Sequence, residues 1–170
     1  MWMELKSHNQ FHWSPAIVVD KNEIISNAKR SVEYVSPHSL HGLQFGGVLG
    51  RKYHCLETAF AKKQINRLNF QSEQQVLRLL KRGKFDVTTL PHSTATTLIQ
   101  EMETSGQFHF SANPLFSFSR HMLLTSELKP VENIISDAII TIRKSKQWRQ
   151  ILAQYGLEDM QIVDAKTELY

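Results

Sequence analysis

From Leu43 to Met102 the sequence alternates short apolar runs with amphipathic runs of helical period, and this alternation constrains the fold more than any other feature. Leu43 to Leu49 reads as a strand, with glycines at Gly42, Gly46, Gly47 and Gly50 marking close backbone approach and a tight turn at Gly50. A helix from about Lys52 to Lys63 follows, then a strand at Ile65 to Phe70. The next segment carries the fullest helix signals. Ser72 is placed to cap it, and Gln75 completes a capping box. Val76, Leu77, Leu79 and Leu80 supply its buried face. Arg78, Lys81 and Arg82 crowd the last turn, where cations suit the helix dipole, and Gly83 stands at the stop. Phe85 to Leu90 is a third strand, and Ser93 caps a helix through Met102. The order β-α-β-α-β-α predicts a parallel sheet covered by helices.

The flanks are less patterned. Phe11 to Val19 reads as extended, since Pro15 disfavours helix at Ser14. Asp20 to Leu40 reads as mostly connecting structure, and Phe116 to Leu124 as a strand. Pro130 suits a first helical position. Val131, Ile134, Ile135, Ala138, Ile139 and Ile142 then follow helical spacing, as do Trp148, Ile151, Leu152 and Tyr155 before Gly156. The tail from Glu158 has no clear pattern.

At 170 residues and 41% hydrophobic, the chain suffices for one domain or two small lobes with a proper core. No run is apolar enough to predict a transmembrane helix. The N-terminus lacks the apolar region of a secretory signal peptide. A lone cysteine, Cys55, excludes an internal disulfide and is expected as a buried thiol. His8/His12 and His38/His41 have helical spacings, but no carboxylate or cysteine completes a metal set, so no metal or cofactor is expected. The net charge of +4 is scattered, which argues against nucleic acid. No G-x-S-x-G, P-loop or HExxH is present, and a non-enzyme is expected.

Several runs resemble one family. SLHGLQFGGVLG (Ser39 to Gly50) is similar to the D-L-x-G-x-x-x-G-V-x-x-G strand-turn of type 2 periplasmic solute-binding proteins, specifically the polar amino-acid-binding family of ABC transporters. RGKFDV (Arg82 to Val87) resembles that family's G-R-x-D-A segment through Gly83 and Asp86. The ending Ile151-Leu152-Ala153-Gln154-Tyr155-Gly156 resembles its closing I-x-x-k-Y-G, and FHWSPAI its F-x-F-S-x-P crossover. The resemblance implies an α/β fold with one complete lobe and the C-terminal fraction of the other. Residues 1–20 would be the crossover segment, 21–107 the second lobe, and 108–170 the return to a first-lobe remnant with two closing helices. The N-terminal part of that first lobe has no counterpart. The implied function is capture of a small polar solute, amino-acid-like or anionic, by domain closure, for an ABC transporter permease in the periplasm.

The resemblance also nominates site residues. Gly50, Arg51, Lys52 and Tyr53 stand at the turn that presents backbone N–H groups to the ligand carboxylate in the family, as helix N-termini generally favour anions. Arg51 and Lys52 also read as solvated surface cations on a tight turn. Pro91 stands where the family's amino-acid binders usually place an aspartate for the ligand ammonium. His92 and Ser93 are the polar neighbours, serving the ligand or the helix entry. Asp86 reads as structural. Trp13 and Phe11 border the crossover and serve as cleft wall or core. Without the first-lobe sheet, the two closing helices lack cover for side chains contributing about 1.5–3 kcal/mol each when buried. These faces are expected to pack on another copy, giving a homodimer, or back onto the second lobe. The alternative function is a non-catalytic interaction or sensory module that dimerises through this remnant and binds no solute.

Overall fold

A computed structural model describes residues 11–160. They fall into two compact units: one holds the residues up to Asp20 and those from Phe118 on, and the other holds Lys21–Ser117. His8 and the tail beyond Met160 lie outside the described residues.

The unit Lys21–Ser117 carries the β-α-β alternation. Its strands are β2 (Val18–Asn27, which begins in the other unit), β3 (Gln44–Val48), β4 (Asn66–Phe70), β5 (Val87–Pro91) and β6 (Phe108–Phe110), where β1 is His12–Trp13. The sheet order is β4-β3-β5-β2-β6, with β7 (Phe116–Arg120) also pairing with β2. β3 runs parallel to β4 and β5, while β2 is antiparallel to β5 and β6. The helices are α1 (Glu57–Ala61), α2 (Glu73–Lys81) and α3 (His92–Glu101). One core joins Ile24, Phe45, Tyr53, Leu56 and Val87, and a second joins Ile25, Val76, Leu77, Leu80, Phe85 and Leu90. Gly46 has no alternative: a Cβ there would sit 2.2 Å from the Phe85 ring, which is itself stacked on Phe70 at 5.3 Å.

α2 forms as its local signals dictate. Ser72 Oγ accepts from Gln75 N at 3.2 Å. Gln75 reaches back one residue further than a capping box requires, and its Oε1 accepts from Gln71 N at 2.9 Å.

Several expectations are corrected. Asp20 to Leu40 is not mostly connecting, because β2 lies inside the sheet. Its alternation is hidden by Asp20, Asn22, Glu23 and Ser26, all buried. Polar residues survive there because they are paired: Ser26 Oγ, for example, accepts from Val32 N at 3.0 Å. The helix expected from Lys52 is only five residues long and begins at Glu57. Ser93 does not cap α3: the helix starts at His92, after Pro91, and Ser93 lies in its first turn. Cys55 is exposed, since Leu56 takes the buried position on that turn.

The other unit pairs β1 with β8 (Leu123–Leu124) in a two-stranded antiparallel sheet. The strand expected from Phe116 to Leu124 is therefore interrupted at His121 and Met122, whose polar groups pair with Ser14. Pro130 lies inside a 3-10 turn, Ser126–Val131, and α4 (Glu132–Lys144) starts after it. α5 (Lys146–Gln154) is capped by Ser145, whose Oγ accepts from Trp148 N.

Candidate functional site

In the unit Lys21–Ser117, strand register brings four chain segments to one edge of the sheet. β3 and β4 are in step from Gln44/Asn66 to Val48/Phe70, so their following turns emerge together. Asn22 pairs with Pro91, so the middle of β2 meets the end of β5 at the same edge. Residues 49–53, 71–73, 91–93 and 21–23 therefore share it.

The first group is the turn after β3. Gly50 adopts φ +77°, a conformation that favours glycine. The backbone N–H groups expected to face an anion are partly engaged. Arg51 N donates to Val48 O at 3.1 Å, and Tyr53 N donates to Glu57 Oε1 at 2.7 Å. The Arg51 guanidinium pairs with Glu73, in the first turn of α2, at 2.5 Å. Arg67 closes the turn from β4. Its Nη2 donates to Arg51 O at 2.7 Å, and its guanidinium lies 4.9 Å from the centre of the Tyr53 ring. Tyr53 is buried in the core: burial pushes its phenol pKa up, and its Oη accepts from Val48 N. Lys52 is exposed.

The second group centres on Glu23, which the sequence reading did not nominate. Its side chain is 3% exposed, and Oε1 lies 2.9 Å from Lys21 Nζ and 3.1 Å from His92 Nδ1. Burial pushes this carboxyl up, but the bonds from His92 and Lys21 outweigh it and hold the pKa below the ordinary value. The His92 ring also packs 5.9 Å from Phe110. The only sequence signal was a charged triplet, Asp20-Lys21 and Glu23, flanked by β-branched residues. Ser93 O accepts from Thr97 Oγ1 at 2.9 Å. Thr89, on β5, is buried with no hydrogen-bond partner for its Oγ1 among the described residues.

Asp86 is structural: it accepts from Gln44 N at 2.8 Å and pairs with Arg30 at 2.9 Å. A pocket of about 260 Å³ lies at the C-terminal end of α2, lined by Arg78, Lys81, Arg82, Met102 and Thr104, away from the nominated residues. The His38 and His41 rings stand 4.7 Å apart, but no group of three or more potential metal ligands forms among the described residues.

Trp13 belongs to the other unit. It is half-buried, with its ring edge-on to His121 at 6.0 Å. In that unit Asp20 is buried and takes both Nη2 (2.6 Å) and Nε (3.1 Å) of Arg120, whose guanidinium lies over Phe118.

No family model matches the chain, and no curated protein matches it. Solved structures do match in fold. A mutant ArgBP from T. maritima superposes with TM-score 0.67 at 15% identity, covering 92% of this chain and 66% of that one. The GluR0 ligand-binding core from Nostoc punctiforme, in complex with (L)-glutamate, gives 0.66 at 14% identity, covering 91% and 69%. The B. pertussis BvgS periplasmic domain gives 0.69 at 15% identity, covering 91% of this chain and 29% of that one. The chain thus has the type 2 periplasmic-binding-protein-like fold, and spans about two thirds of the length of the ArgBP it matches.

Proposed function

We propose that this chain, with its type 2 periplasmic-binding-protein-like fold, is a non-enzymatic solute-recognition module for a small polar solute, amino-acid-like or anionic. Its place would be the periplasm, as a component of an ABC importer with a permease partner. The observation that carries the reading is the clustering of charge at one sheet edge. Lys21, Glu23 and His92 meet there, and Arg51 and Glu73 meet beside them. Charged groups of both signs, partly desolvated and fixed by strand register, are what recognition of a zwitterion requires. Isothermal titration with a panel of amino acids, L-glutamate and L-arginine among them, tests this. The double variant Arg51→Ala/Lys52→Ala should abolish binding of an anionic solute. Unchanged affinity would remove the turn from the site.

A second reading has its own support. Arg51 and Lys21 at the edge are paired within the chain, and two of the turn's N–H groups are engaged. Such an edge suits an interaction or sensory module that dimerises and binds no solute. The same titrations discriminate, since this reading expects no heat from any member of the panel.

A further inference from the structure

The unit built from both ends of the chain leaves apolar helix surface in water. On α4, Ile134 is 68% exposed and Ile142 51% exposed, with exposed Ala138 between them. At 3.6 residues per turn these three fall in an arc of about 80°. Ile139 continues the same stripe and is buried. One edge of the stripe is therefore covered, and the other edge faces solvent. On α5, Ile151 and Tyr155 are exposed in the same way. Scattered exposed leucines need no explanation, but a contiguous run at helical spacing does.

Charge indicates what covers it. Asp137 and Lys144 lie on the same flank of the exposed arc, within about 20° of each other and roughly two turns apart. Both are exposed, and neither has an ion-pair partner among the described residues. The acid lies nearer the N-terminus of α4 and the base nearer its C-terminus. In an antiparallel helix pair each flank faces the same flank of its mate with the order reversed. A second copy of α4 laid antiparallel therefore brings acid to base twice, and aligns the helix dipoles favourably.

We propose that the exposed face of α4 is the interface of a homodimer, packed α4 against α4 antiparallel about a two-fold axis at the level of residue 140. Ala138 then opposes the partner's Ile142, small against large, which allows close approach of the axes. Asp137 comes within about one residue of the level of the partner's Lys144. The helix is only about 20 Å long, so the interface is small and a weak, readily dissociating dimer is expected. The proposal gives the partner for the dimerising module of the second reading. It rests on this unit alone, so the solute titrations and the dimer test fail separately.

Sedimentation equilibrium of the whole chain, over about 1–500 µM, tests it. The wild type should shift from monomer to dimer across that range. Ile142→Glu should stay monomeric throughout with an unchanged circular dichroism spectrum, because the residue is at the surface. Asp137→Lys alone and Lys144→Asp alone should each weaken the dimer about tenfold, since two symmetric attractions become repulsions. The double swap Asp137→Lys/Lys144→Asp should recover to within about threefold of wild type. A wild-type monomer at every concentration overturns the proposal. A dimer indifferent to Ile142→Glu, or a double swap that does not recover, also overturns it.

Discussion

Replacing Glu23 by glutamine tests the charged centre of the sheet edge directly. The amide keeps the shape of the side chain and removes its charge. In the wild type Oε1 takes charge-assisted bonds from Lys21 at 2.9 Å and His92 at 3.1 Å, with the Glu23 side chain 3% exposed. Each such bond contributes about 1.5–3 kcal/mol where both partners are buried. Here the donors are not: Lys21 is 37% exposed and can turn to water, which reduces its share. The expected net loss at pH 7 is about 2 kcal/mol. For a unit of roughly a hundred residues this lowers Tm by about 8–16 °C. The pH dependence gives a second check. The folded pKa of Glu23 lies below its ordinary value of 4.5, so its stabilisation is present above that value and is lost as pH falls through the folded pKa. Urea denaturation followed by circular dichroism should therefore show a gap between wild type and Glu23→Gln that is full at pH 7 and closing well below pH 4.5. A gap under about 0.5 kcal/mol at pH 7 would refute the reasoning, as would a gap of the same size at every pH.

Two further outcomes follow from packing. Gly46→Ala drives a Cβ to 2.2 Å from the Phe85 ring, so a loss of about 1–3 kcal/mol is expected in thermal unfolding. Adding Phe85→Leu should recover part of it, and no recovery would mean that the clash lies elsewhere. Cys55 is exposed, so it should react with a thiol reagent in the native protein as fast as in urea. Strong native protection would contradict its placement on the turn.

What was legible in the sequence was local. α2 could be read because its cap, apolar face and terminal cations all lie within a dozen residues, and β3 because its glycines punctuate it. β2 was not legible, since its buried polar residues are satisfied by partners far along the chain: Glu23 by His92, and Asp20 by Arg120. No window of sequence displays such pairs. The turn after β3 was misread as a helix start for the same reason. Glu57 engages Tyr53 N, and Arg67 reaches across from the neighbouring strand, so the chain is held in a turn until Glu57. The resemblance nominated the turn and the residues beside Pro91, but not Glu23, which comes from the strand alongside. The uncovered faces of α4 and α5 were legible as stripes, because amphipathic periodicity is written in the helix itself.

The path of the chain has a consequence for synthesis. The unit Lys21–Ser117 is one uninterrupted stretch, and its two ends meet where Leu115 N donates to Asn22 O at 2.8 Å. The other unit is split around it and needs residues from Phe118 on to pair β1 with β8. On a ribosome adding about 5–20 residues per second, the inner unit can close while the outer one still waits several seconds for its second half. During that interval the segment through Trp13 is an orphan strand tethered to a finished domain, and a chaperone that acts on this protein would find its task there.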